Sequence, residues 1–315
     1  MPGPYPEVEP YDSGLLEVGD GNAVYWDVRG RPDGRPAVVV HGGPGAPSAG
    51  MPRLLDPSAY RVVVIHQRNC GRSTPSAADP ATDLSANTTS ALIADMESVR
   101  DLLGIHRWLV LGGSWGVTLG LAYAVAHPDR VSALVLTAVT SGEAREVEWI
   151  TRSMGRIWPE AWARFRNGVP EPERDGDLAA AYSRLLESPD PEVRERAARD
   201  WCAWEDTHVS LAPGWSPDPR FEDPEFRMVF ARLVTHYWAR HCFLPDGHLR
   251  ASVGRLAGTP GVLVAGRSDV SGPPDVAWEL HRAWPGSELV ILETAGHGIG
   301  TTDAVLEATD RFAAT

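Results

Sequence analysis

The 315-residue chain reads as one α/β domain, a doubly wound and mostly parallel sheet, with a helical lid (cap) inserted between two strands. Three observations predict this. Short runs rich in Val, Leu and Ile recur without polar alternation, as strands buried on both faces do. Segments of helical apolar spacing lie between them. From about residue 141 to about 255 that alternation stops, and Trp, Arg, Glu and Pro dominate.

The elements follow in order. Residues 23–28 (AVYWDV), 37–40 (AVVV) and 61–65 (RVVVI) carry the β-branched and aromatic side chains that suit strands. Residues 88–103 read as a helix, with Leu92, Ile93, Met96, Val99, Leu102 and Leu103 at helical spacing. Asn87 is the expected N-cap and Gly104 the stop. Strand 108–111 leads into helix 117–126, and strand 133–136 follows. In the insert, helical spacing recurs near 179–186, 191–204 and 226–241. Seven of the 12 tryptophans fall there, enough both to build a small core and to line a pocket. Strand 261–265, helix 276–284, strand 288–292 and helix 302–313 complete the pattern. The expected division is a core of 1–140 plus 256–315 and a cap of 141–255.

Composition narrows the function. A net charge of −13 argues against nucleic acid and anionic membranes as partners. The chain has no lysine, which excludes Schiff-base chemistry and a lysine phosphate clamp. Cys70, Cys202 and Cys242 are widely spaced, show no metal-ligand pattern and fit a reducing, cytoplasmic setting. Neither a signal peptide nor a membrane span is expected. Oligomeric state leaves no trace in the sequence.

The chemistry is carried by Gly112-Gly113-Ser114-Trp115-Gly116, between an apolar strand and a helix. This is the G-x-S-x-G nucleophile elbow in the strand–turn–helix setting of the α/β-hydrolase fold. A serine hydroxyl needs a base, an orienting acid and an oxyanion hole. His297, in a Gly-rich loop after the last strand, is the expected base. Asp269, after the preceding strand, is the expected acid, with Asp275 and Glu293 as alternatives. The order Ser, Asp, His is that of α/β hydrolases. The oxyanion donors are expected at Trp115 and at Gly43, with Gly42 second, in the loop His41-Gly42-Gly43-Pro44-Gly45.

The chain resembles the proline iminopeptidase (prolyl aminopeptidase) family of α/β hydrolases, peptidase family S33. The matching segments are His41–Gly45, Gln67–Ser73, Asn87–Thr89, Gly112–Gly116, Pro159–Trp162, Trp201–Glu205, His236-Tyr237, Gly266-Arg267 with Asp269, and Ala295–His297. The resemblance implies release of an N-terminal proline, or another small residue, through an acyl-enzyme on Ser114, from a small-molecule or short-peptide partner and with no metal and no cofactor. It implies Glu205 as an amine-binding carboxylate, with Trp204, His236 and Tyr237 beside the substrate. The sequence departs from the family at Val234, where a second amine-binding Glu is usual, and at Thr137, where Arg is usual. His66 and Asn69 replace Asp and Gly. These departures leave an alternative, an amidase or esterase acting on a non-peptide acyl substrate. A catalytically silent ligand-binding protein is a third reading, against which the complete Ser, Asp, His set argues.

Overall fold

The computed structural model describes residues 3–209, 211 and 213–314. Eight strands form one sheet in the order β1-β2-β4-β3-β5-β6-β7-β8. They are β1 (Asp12–Glu17), β2 (Ala23–Gly30), β3 (Arg35–Val40), β4 (Tyr60–Ile65), β5 (Trp108–Gly113), β6 (Val131–Thr137), β7 (Gly261–Gly266) and β8 (Ser287–Leu292). β1–β2 and β2–β4 are antiparallel, and every other pairing is parallel. The reversal between β4 and β3 brings the ends of β3 and β5 side by side, with Val40 opposite Gly112.

The unbroken apolar runs have a simple cause. Along β3, Val38 and Val40 join one apolar cluster, and Ala37 and Val39 join another on the opposite face. Helices α1 (Thr89–Leu102), α2 (Trp115–Ala126) and α9 (Pro274–Ala283) cover the first face, and α10 (Thr302–Ala313) the second. Strand β1 was not predicted. It is an edge strand with mostly exposed side chains, defined by pairing Leu16 with Val24 and not by its own apolar pattern.

The cap of α1 differs from the expectation. Thr88 is the N-cap, accepting from the Ala91 N–H at 3.2 Å. Asn87 instead enters a buried network, accepting from the Tyr237 hydroxyl at 2.6 Å and donating to Asn69 Oδ1 at 2.9 Å. Gly104 does follow the helix end, at φ +63°.

Between β6 and β7 the chain leaves the sheet and forms α3 (Ala144–Thr151), α4 (Pro159–Asn167), α5 (Leu178–Leu186), α6 (Pro191–His208), α7 (Pro224–Trp238) and α8 (His248–Ser252). Its middle helices enclose their own apolar cluster around Phe165, Tyr182, Trp201 and Trp204. Phe165 stacks on Tyr182 and Trp204 with ring centroids 4.7 and 5.4 Å apart. Leu249 and Val253 instead join the main core beside α2, so the chain rejoins that core before the expected boundary at 255.

Candidate active site

The nucleophile position follows from close packing at the end of β5. A Cβ on Gly112 would lie 2.6 Å from the Gly116 carbonyl oxygen, and one on Gly116 only 2.0 Å from that of Val40. Glycine at both positions lets the turn press against β3. Ser114 itself takes φ +56°, ψ −125°, a strained conformation that lifts its side chain off the sheet. The surroundings hold it there. Its N–H donates to the Thr137 carbonyl at 3.1 Å, and its own carbonyl accepts from Val117 N–H at 2.8 Å and Thr140 Oγ1 at 2.9 Å.

His297 and Asp269 meet at this serine. His297 Nε2 lies 2.9 Å from Ser114 Oγ, and Nδ1 lies 2.9 and 3.1 Å from the two Asp269 oxygens. A carboxylate only accepts, so Nδ1 carries the proton and Nε2 faces the serine hydroxyl as a base. The Gly272 N–H donates to Asp269 Oδ1 at 2.8 Å and fixes the carboxylate. The alternatives Asp275 and Glu293 lie elsewhere, paired with Arg145 and Arg267 at the surface. Burial pushes the His297 pKa down, but the charge and hydrogen bond of Asp269, with the charge of Glu205, outweigh it and hold the ring above its ordinary value.

Gly43 and Trp115 line the cavity beside Ser114, together with Thr118, Thr140, Glu146, Trp238 and Ser271. Gly42 packs behind them, where a Cβ would meet the Gly113 carbonyl at 3.0 Å. The loop carrying Gly43 is tied to the elbow through Gln67. The Trp115 indole N–H donates to Gln67 Oε1 at 2.9 Å, and Gln67 Nε2 donates to the His41 carbonyl at 2.9 Å. His41 Nε2 accepts from the Gln67 N–H at 3.1 Å, leaving Nδ1–H to donate to the Gly42 carbonyl at 2.9 Å. Burial lowers the His41 pKa to about 3, so the ring is neutral and this tautomer is fixed. Sequence reasoning matched Gln67 to a motif without assigning it this task. Its only sequence signal was its place just after β4, next to the strand that carries the loop.

The four residues expected at the substrate divide. Glu205, partly exposed near the end of α6, is close enough to His297 for each to shift the other's pKa. The other three are not among the lining residues of the cavity at Ser114. Trp204 lies in the insert's own core, its indole donating to the Ile150 carbonyl at 3.1 Å. His236 Nε2 is bonded to the Asn87 carbonyl at 2.9 Å. Tyr237 is buried against Trp115, with ring centroids 4.6 Å apart. Of the insert's tryptophans, Trp238 is the one among the cavity's lining residues. Val234 belongs to the insert's apolar core, and the buried Thr137 hydroxyl has no partner among the described residues.

A serine activated by a His–Asp pair, at the C-terminal ends of parallel strands, defines the class as an α/β hydrolase. The pattern described as "alpha/beta hydrolase fold" matches residues 36–303. A "Probable proline iminopeptidase" of Streptomyces coelicolor is 54% identical, covering 98% of this chain and 97% of that one. The "Proline iminopeptidase" of Xylella fastidiosa (strain Temecula1) is 41% identical, covering 98% of each chain. A solved proline iminopeptidase from Mycobacterium smegmatis shares the fold, with a TM-score of 0.61 at 22% identity, over 96% of this chain and 97% of that one. The chain belongs to the proline iminopeptidase family of α/β hydrolases.

Proposed function

We propose that the chain is a prolyl aminopeptidase that releases an N-terminal proline, or another small residue, from short peptides. The observation that carries this reading is the Ser114–His297–Asp269 relay with an ionised carboxylate, Glu205, coupled to it. Ser114 Oγ attacks the first carbonyl of the peptide while His297 Nε2 takes its proton. The N–H groups of Gly43 and Trp115 receive the developing oxyanion. His297 then passes the proton to the departing amine, leaving a prolyl ester on Ser114. A water, deprotonated by the same ring, releases proline. Glu205 receives the substrate ammonium, because a cation leaving water needs a paired anion.

Residues 141–255, less the returning α8, act as the cap over this site. A cytoplasmic setting fits the three buried free cysteines, and among the described residues no helix is long and apolar enough to cross a membrane.

The test is hydrolysis of prolyl-, alanyl- and N-acetyl-prolyl-anilides side by side, with fluorophosphonate labelling. Prolyl-anilide turnover is expected to lead, and Ser114→Ala to abolish both turnover and labelling. Equal turnover of blocked and free substrates would overturn the reading.

A further inference from the structure

Between α7 and α8 the chain turns through His241–Phe243, which lie in the left-handed region at φ +50°, +53° and +52°. Residues other than glycine enter that region singly and at a cost, so such a run without a glycine is uncommon. Glycine would make the same turn without strain. The side chains must therefore supply something that glycine cannot. Phe243 packs on His236 and Tyr237, with ring centroids 5.2 and 5.3 Å apart. His241 is exposed. Cys242 is buried and lines the cavity at Ser114.

The surroundings fix the thiol in that wall. The Thr89 hydroxyl, at the start of α1, donates to the Cys242 carbonyl at 2.5 Å. The Phe243 and Leu244 N–H groups close the turn onto the Arg240 and His241 carbonyls at 2.9 and 3.0 Å. Gly142, another lining residue, makes room for the side chain. A Cβ there would lie 3.1 Å from Cys242 Sγ and 3.2 Å from Cys242 Cβ. Burial, with the charge of Glu146, pushes the Cys242 thiol well above its ordinary value. It therefore stays protonated and inert, a wall and not a nucleophile.

We propose that Cys242 sets the size of the acyl residue that the cavity at Ser114 accepts, and that the strained turn is retained because it places this side chain in the wall. This rests on the reading of Ser114 as the nucleophile that takes up the acyl residue within that cavity. The backbone of Cys242 is anchored to α1 and not to the elbow. Trimming the thiol therefore widens the cavity while Ser114, His297 and Asp269 keep their own contacts. One methylene more or less in an apolar pocket is worth about 10–200-fold in kcat/KM, so a wall atom at this position decides between rings of neighbouring size.

The test compares pipecolyl-anilide, whose ring is larger by one methylene, with prolyl-anilide as a ratio of kcat/KM. In parallel, p-nitrophenyl butyrate is compared with p-nitrophenyl acetate, a pair that needs no amine anchor. Cys242→Ala and Cys242→Gly are expected to raise turnover of the larger acyl group relative to the smaller by about tenfold. Ratios unchanged in both pairs would overturn the proposal. If the ester ratio rises while the parent cleaves neither anilide, the aminopeptidase reading fails and the sizing by Cys242 stands. If the parent cleaves prolyl-anilide and neither ratio moves, only the sizing fails. Urea midpoints test the strain. Glycine relieves it and alanine retains it, so Cys242→Gly should have the higher midpoint, the reverse of the order in a helix interior. An equal or lower midpoint for Cys242→Gly would overturn the role given to the turn. Should Cys242→Ala not fold, Cys242→Gly carries both substrate ratios.

Discussion

Gly116→Ala tests whether the elbow and the oxyanion loop are one mechanical unit. The new Cβ would lie 2.0 Å from the Val40 carbonyl oxygen, 2.9 Å from its carbon and 3.0 Å from the His41 oxygen. All three are backbone atoms, so no side chain can swing away. Restoring ordinary contact at 3.4 Å requires more than about 1 Å of separation between α2 and the end of β3. Val40 and His41 lead directly into Gly42-Gly43, so that separation moves Gly43, the proposed oxyanion donor, relative to Ser114 and Trp115. Loss of one such donor costs about 10²–10³ in kcat, and overpacking costs about 1–3 kcal/mol of stability. The expected result is a folded protein with a lower urea midpoint, kcat down by about that factor and KM little changed. Gly120→Ala is the control on the same helix. Its Cβ would meet only side chains, Val110 Cγ1 at 3.0 Å and Leu136 at 3.9 Å, so kcat should hold. A Gly116→Ala enzyme with kcat within a few-fold of the parent would refute the coupling.

Two pH predictions follow from the histidines. His297 must be neutral to act as base, and it is held above its ordinary value, so the rising limb of kcat/KM should lie above about pH 6.5. Because Glu205 contributes to that hold, Glu205→Gln should move the limb to lower pH; a limb that stays put would rule out the contribution. His41 and His236 behave in the opposite sense, since burial lowers them to about 3 and about 4. Unfolded, each takes a proton near pH 6.5. Below that value the unfolded state binds more protons, so their stabilisation is complete above pH 6.5 and is lost as pH falls towards 4. Each ring contributes about 1.4 kcal/mol per pH unit in that window. Urea midpoints measured from pH 7 to 4.5 should fall steeply, and a flat profile would contradict the buried neutral rings.

The legible parts of the sequence were those with strong local signals. The parallel strands showed because both faces are buried, and the elbow because packing at Gly112 and Gly116 excludes a side chain. β1 was invisible because partner pairing makes it a strand. Asn87 looked like a cap by position, but a neighbour with a hydroxyl took that task and freed Asn87 for a buried network. Trp204, His236 and Tyr237 sit in segments that match the family, but a matching segment carries no signal of which of its residues line the cavity at Ser114. The pairing of His208 with Ser271 across 63 positions had no sequence signal at all.

The departures at Asn69 and Thr137 also separate by physics. Asn69 sits at φ +64°, a left-handed conformation that Asn tolerates better than most residues, and its amide bonds to Asn22 Oδ1 and the Pro75 carbonyl, both at 2.9 Å. Exchanging Gly for Asn there retains the turn and gains three side-chain hydrogen bonds, the third accepted by Oδ1 from the Asn87 amide at 2.9 Å. Arg68, next to it, makes a buried two-pronged pair with Asp95 at 2.7 and 2.8 Å. The segment from Gln67 to Asn69 is therefore a bracket. It joins the oxyanion loop through His41, the elbow through Trp115, α1 through Asp95 and α7 through Asn87 and Tyr237. Thr137 belongs to no such bracket. Its hydroxyl is buried without a partner among the described residues, while its carbonyl accepts from the Ser114 N–H. The backbone at position 137 bonds the nucleophile, while the buried Thr137 side chain packs beside Gly113. The proposed recognition of the substrate amine rests on Glu205, near the end of α6.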